Sequence, residues 1–154
     1  MSLNEITIDT PPEIVWGVLA DPPTYEYWVV GNKKIRRHDG DWPQPGAEFH
    51  HKVGFGPVAV KDKTVALEAV APKRLVMQVR AMPFGIGIVT FELETAGSGT
   101  RVRMGEKAQA GPAKLIAPVV DRLAHLRNAE TLRRLRRCAE SRHGAGADAG
   151  ADKG

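Results

Sequence analysis

A single cysteine, Cys138, leaves no internal partner for a disulfide, so a small disulfide-stapled scaffold is excluded. No apolar run approaches the ~18–20 residues that a helix needs to cross a bilayer. The opening Met1-Ser2-Leu3-Asn4-Glu5 has neither the basic start nor the apolar stretch of a secretory signal. A cytoplasmic location without stable membrane insertion is the resulting expectation. Cys/His clusters at zinc spacing, acidic EF-hand loops and a Gly-x-Ser-x-Gly elbow are all missing. The glycines of Gly54-Phe55-Gly56-Pro57 and Gly85-Ile86-Gly87 lack the strand-to-helix setting of a phosphate loop. Neither metal nor cofactor is expected.

Apolar residues are plentiful. They make up 42% of 154 residues, which excludes disorder as the dominant state and suffices for one domain with a real core. The formal net charge of +4 is unevenly placed. Residues 1–111 carry 13 Lys/Arg against 13 Asp/Glu, whereas residues 112–142 carry 8 against 3. Leu132-Arg133-Arg134-Leu135-Arg136-Arg137 could suggest nucleic acid. Helical spacing gives a plainer reading, with the leucines on a sheet and the arginines over solvent, where they offset the helix macrodipole. No nucleic-acid partner is expected, because the neutral body adds no basic surface and no binding motif.

Residues 4–9 alternate as a short strand with Ile6 and Ile8 on one face. Thr10-Pro11-Pro12-Glu13 predicts a helix start with Thr10 as its cap. Ile14, Val15, Val18 and Leu19 form the buried stripe of that helix, and a second short helix runs through Tyr25, Tyr27 and Trp28. Six strands follow, near 31–38, 47–54, 57–70, 74–82, 85–95 and 100–109, separated by Gly and Pro turns. A change of apolar parity between Val60 and Val65 predicts a bulge near Asp62, with an exposed Asp62 favoured over an inward one. A long helix then spans Pro112 to Arg142, its regular part starting near Ala117. Ile116, Val119, Val120, Leu123, Leu126, Leu132, Leu135 and Ala139 are read as one stripe facing the sheet, interrupted around Ala129. Residues 143–154, rich in Gly, Ala and Asp, are expected to be disordered.

A meander of strands with one long amphipathic helix to cover it is an α+β layout, a curved antiparallel sheet around a C-terminal helix. An incompletely filled sheet of this kind leaves an internal cavity. The chain resembles the START/Bet v 1-like (SRPBCC) superfamily with its helix-grip fold, in particular the bacterial polyketide cyclase/dehydrase-like branch. The resemblance is carried by Ile6-Thr7-Ile8-Asp9-Thr10-Pro11-Pro12-Glu13-Ile14-Val15-Trp16, Leu19-Ala20-Asp21-Pro22, Tyr27-Trp28 and Pro45-Gly46. It continues through Pro72-Lys73-Arg74-Leu75, Gly99-Thr100-Arg101-Val102 and Leu132-Arg133-Arg134-Leu135, spanning about residues 4–141. It implies a single helix-grip domain over residues 1–142. The functions it implies range from lipid and hormone binding to polyketide cyclisation.

Strand alternation selects the candidate residues. Val102, Met104, Glu106 and Ala108 share the inward face of the last strand, so Glu106 is a carboxylate on the cavity side. It is either a desolvated proton acceptor or a rim residue, solvated or paired with a nearby base. Phe49, His51 and Val53 likewise point inward. His51 is either a proton donor or acceptor toward a bound carbonyl compound, or a histidine hydrogen-bonded within a mixed core. Arg37 shares a face with Ile35 and could hold a carboxylate or phenolate at the cavity mouth, although a solvated strand-end arginine is favoured. Trp28, Phe49, Phe55, Met77, Met82, Phe84, Phe91 and Met104 are the candidate apolar lining. The leading expectation is a module that binds a small hydrophobic molecule, aromatic, polyketide-like or lipid-like. The resemblance adds the alternative of an aldol cyclase/dehydratase with Glu106 or His51 as base. A homodimer through edge strands 4–9 or 31–38 is left open.

Overall fold

A computed structural model of the chain describes residues 1–55, 57–81, 85–112 and 115–151. Strand β1 (Ser2–Ile8) buries Ser2, Asn4 and Ile8 and exposes Leu3, Glu5 and Thr7, as a period of two requires. Helix α1 (Pro12–Leu19) buries Val15, Val18 and Leu19. Its cap is Pro11, not Thr10, and no side chain caps it. Thr10 is drawn instead into the β1 end of the sheet, where its carbonyl accepts the Thr100 hydroxyl at 2.6 Å. A 3-10 turn (Pro22–Thr24) leads into helix α2 (Tyr25–Trp28).

Six further strands follow: β2 (Asn32–His38), β3 (Glu48–Phe55), β4 (Val58–Val70), β5 (Arg74–Ala81), β6 (Gly85–Ala96) and β7 (Gly99–Ala110). All pair antiparallel in one seven-stranded sheet of order β1-β7-β6-β5-β4-β3-β2. The expected strands and the edge positions of the first two therefore match the fold. The β6–β7 hairpin turns at Gly97-Ser98, where Gly97 takes φ of 61°, a conformation that favours glycine.

The bulge in β4 lies at Leu67, not near Asp62: the β4–β5 register shifts between Ala66 and Glu68, while the β3–β4 register is regular through Asp62. Even-numbered residues consequently point inward as far as Ala66. Asp62 is buried, contrary to the exposed position expected from its lysine neighbours. Arg80 faces it at 3.6 Å, and the Lys63 N–H donates to it at 2.9 Å. The apolar parity misled because Leu67 occupies the bulge itself and is exposed.

Helix α3 (Ala117–Ala151) packs on β1, α1 and α2, with lighter contact to β7. Its buried line is Ala124, Asn128, Thr131, Leu132, Leu135 and Ala139. Ile116, Val119, Leu123 and Leu126, read from sequence as part of the same stripe, are exposed. The arithmetic of the helix explains this: Ile116 and Leu132 are sixteen residues apart, which places them about 160° apart around the axis. The expected single stripe is two, on nearly opposite sides. The helix is continuous from Ala117 to Ala151.

The core is centred on an aromatic cluster. Tyr25 packs on Trp28 at 4.3 Å between ring centroids and on Phe49 at 4.8 Å, while Trp42 meets Phe49 at 4.7 Å. The Leu19 carbonyl at the end of α1 accepts both the Tyr25 hydroxyl (2.7 Å) and the Trp42 indole N–H (3.0 Å). The cluster thereby satisfies a helix-end carbonyl that would otherwise be orphaned.

Candidate ligand cavity

Between the inner face of the sheet and α3 lies a cavity of about 230 Å³. Most of its wall is apolar, built by Trp28, Phe49, Met77, Val89, Phe91 and Met104. Val120 and Ala124 close it from the α3 side. The small residues Ala124 and Ala108 leave the space open, because neither side chain is long enough to fill it.

Two groups of polar side chains interrupt this lining. The first is on β2, β3 and β4. His51 is 3% exposed, and its Nε2 lies 3.0 Å from the Thr64 hydroxyl. Its Nδ1 is buried without a hydrogen-bond partner, and so is Oδ1 of Asn32. Both residues line the cavity. Burial pushes the His51 pKa down to about 4, against the opposing pull of the Asp62 carboxylate across the β3–β4 pair and of the Lys63 backbone. The ring is therefore neutral at physiological pH. A neutral imidazole offers one donor and one acceptor, so whichever role Nε2 takes with Thr64, Nδ1 keeps the other.

The second group lies across the cavity on β7 and α3. Glu106 accepts from the Arg127 guanidinium and, at 2.9 Å, from the Asn128 amide. Asn128 in turn accepts from Arg127 Nε at 3.2 Å. Arg127 and Glu106 neutralise one another, and Asp121, which also lines the cavity from α3, is paired with the Met1 amino group. The surrounding scaffold holds α3 in register: Asn4 donates to the His125 carbonyl at 3.0 Å, and the Val30 N–H donates to the Thr131 hydroxyl at 3.2 Å. Among the described residues, no group of three His, Cys, Asp or Glu side chains is arranged to hold a metal ion. No described helix is long and apolar enough to cross a membrane.

Residues 4–140 match the family model described as polyketide cyclase/dehydrase and lipid transport. The chain belongs to this family. No match is found among curated proteins. Protein NE0264 from Nitrosomonas europaea has a similar solved structure, with a TM-score of 0.68 and 20% identity over 90% of this chain and 93% of that one. TTHA0849 from Thermus thermophilus gives 0.66 and 15% over 91% and 97%. The di-domain ARO/CYC StfQ from the steffimycin biosynthetic pathway gives 0.71 and 12%, over 92% of this chain and 51% of that one. At these identities the likeness concerns the fold.

Within this polyketide cyclase/lipid transport fold, the expected residues separate into three sets. Glu106, His51, Phe49, Met77, Phe91 and Met104 line the cavity from the strands, and Trp28 lines it from α2. Glu106 takes the paired form of its two readings, since Arg127 and Asn128 occupy it. Arg37 does not line the cavity. A register shift between Ile35 and Arg37 turns it to the outer face, where its guanidinium lies 3.5 Å from His50 Nε2. Met82 and Phe84 lie outside the described residues, as does the side chain of Phe55. Asn32, Thr64, Arg127, Asn128 and Thr131 were not anticipated as lining residues. A signal for the last two was present, because polar Asn128 and Thr131 sit where the apolar stripe breaks and are in line with Leu135 at steps of three and four.

Proposed function

We propose that this family member is a binding module for a small, uncharged, mainly apolar molecule that carries a hydroxyl or carbonyl group. The observation that carries the reading is the buried, partnerless Nδ1 of His51 in a mainly apolar wall. A buried polar atom left unpaired costs about 1–3 kcal/mol, which a ligand with a complementary group recovers. The neutral Glu106–Arg127 pair supports an uncharged ligand, and the volume suits a molecule of one to three rings. Aldol cyclisation in the same cavity, the second reading, has less support. Glu106 is already engaged by two donors, and an imidazole whose pKa is pushed down to about 4 is a weak base near neutral pH.

The test compares 2-naphthol with naphthalene by calorimetric titration of the purified chain, alongside native mass spectrometry for a co-purifying apolar molecule. The expected outcome is 2-naphthol binding about tenfold tighter, with the preference abolished by His51→Phe. Equal affinity for the two, or no binding of either, refutes the proposal. Cyclase activity that survives in the chain and is lost in both Glu106→Gln and His51→Ala would favour the second reading.

A further inference from the structure

The first turns of α3 have two working sides. Val120 and Ala124 face the cavity, whereas Leu115, Ile116, Val119, Leu123 and Leu126 around the same turns are 58–88% exposed. Spaced at three and four residues, these side chains form a continuous outward stripe. A cluster of this kind on the surface of a folded chain marks an interaction site.

Charge identifies the occupant. Arg133 and Arg137 continue the same outer line of the helix, since eighteen residues bring Val119 and Arg137 back to about the same angle, and exposed Arg136 lies beside that line, about 100° from Val119. Arg122 lies inside the stripe, and neither it, Arg136 nor Arg137 has an ion-pair partner among the described residues. The acidic residues of the helix up to Arg142 are all engaged. Asp121 holds the Met1 amino group, Glu130 holds Arg133 and Arg134, and Glu140 accepts the Asp9 N–H. The face is therefore apolar over its first turns and has unpaired positive charge beside and beyond them. A second copy fits it poorly. Antiparallel pairing of two such stripes sets Arg122 near Arg122 of the other copy, with no free carboxylate between them.

We propose that this face of α3 docks on an anionic lipid surface. The stripe enters the headgroup region, the arginines meet lipid phosphates, and the helix lies in the plane of the membrane without crossing it. The same turns form the cavity wall on their other side, so docking places the cavity next to the bilayer. The proposal does not rest on which molecule the cavity holds.

Co-sedimentation of the full chain with vesicles tests it. Binding is expected to vesicles of phosphatidylcholine mixed with phosphatidylglycerol, to be weak on phosphatidylcholine alone, and to fall as salt is raised. The double variant Leu123→Ser/Leu126→Ser should bind about tenfold more weakly, and so should Arg122→Gln/Arg136→Gln/Arg137→Gln, each with unchanged thermal stability and 2-naphthol affinity. Absence of binding to the mixed vesicles overturns the proposal, as does binding that both variants leave intact. A dimer in light scattering that Leu123→Ser/Leu126→Ser dissociates overturns it as well, because the stripe is then a self-interface.

Discussion

Replacing one leucine on each side of α3 separates the two stripes energetically. Leu135 is 0% exposed in the core, so Leu135→Ala removes packed methyl groups and leaves a cavity. Substitutions of that kind cost about 2–5 kcal/mol. Near the middle of that range, a domain of this size should lose about 6–12 °C in Tm. Leu123 is 63% exposed, so roughly a third of its surface is withdrawn from water. With full burial of a leucine contributing about 1.5–3 kcal/mol, Leu123→Ala should cost less than about 1 kcal/mol, partly offset by the better helix propensity of alanine. Urea unfolding of both variants, with the m-value checked for constancy, measures the difference directly. Equal losses in the two would refute the two-sided helix and restore the single stripe suggested by the spacing of the leucines.

Three further outcomes follow from the cavity and its mouth. The folded pKa of His51 is depressed to about 4 from an ordinary 6.5, so between those values the unfolded chain binds more protons. Its contribution is fully present above pH 6.5 and is lost as pH falls toward 4, on the order of 3 kcal/mol across that window. His51→Phe should flatten that part of the curve of stability against pH; a curve parallel to that of the unsubstituted chain would show the ring is not buried neutral. Asn128→Ala should destabilise by about 1–3 kcal/mol in urea, because Glu106 loses a buried donor, and a change near zero would mean water replaces the amide. Gly85 has φ of 132°, and a methyl group there would lie 2.1 Å from the Ala110 carbonyl oxygen. Gly85→Ala should therefore cost at least about 1 kcal/mol in thermal unfolding and faster amide exchange where β6 and β7 meet.

Much of the inner surface was legible from alternation alone. A strand has only two faces, so an apolar neighbour two residues away was enough to aim His51 and Glu106 inward. The same rule failed for Arg37 and Asp62. A register shift beside Arg37 and a bulge at Leu67 each change parity by one residue, and an exposed leucine within the bulge imitates a buried one. The helix misled differently. Its apolar residues keep local steps of three and four on both sides of Ala129, and only the accumulated angle along the helix shows that the line has crossed to the other face.

The sequence by itself determined the order of elements, the positions of the turns and strand-face membership wherever the register is regular, because these depend on neighbours a few residues apart. Its single cysteine had already removed an internal disulfide, and no described helix is long and apolar enough to cross a membrane. Tertiary structure alone decided what the inward polar groups meet. Glu106 is 21 residues from Arg127 and His51 is 13 from Thr64, and both pairs form only when the sheet closes on itself and on α3. The same closure leaves Nδ1 of His51 without a partner and puts Leu123 and Leu126 in solvent. Partnership across the fold depends on where distant segments are brought together, and that information is absent from local spacing.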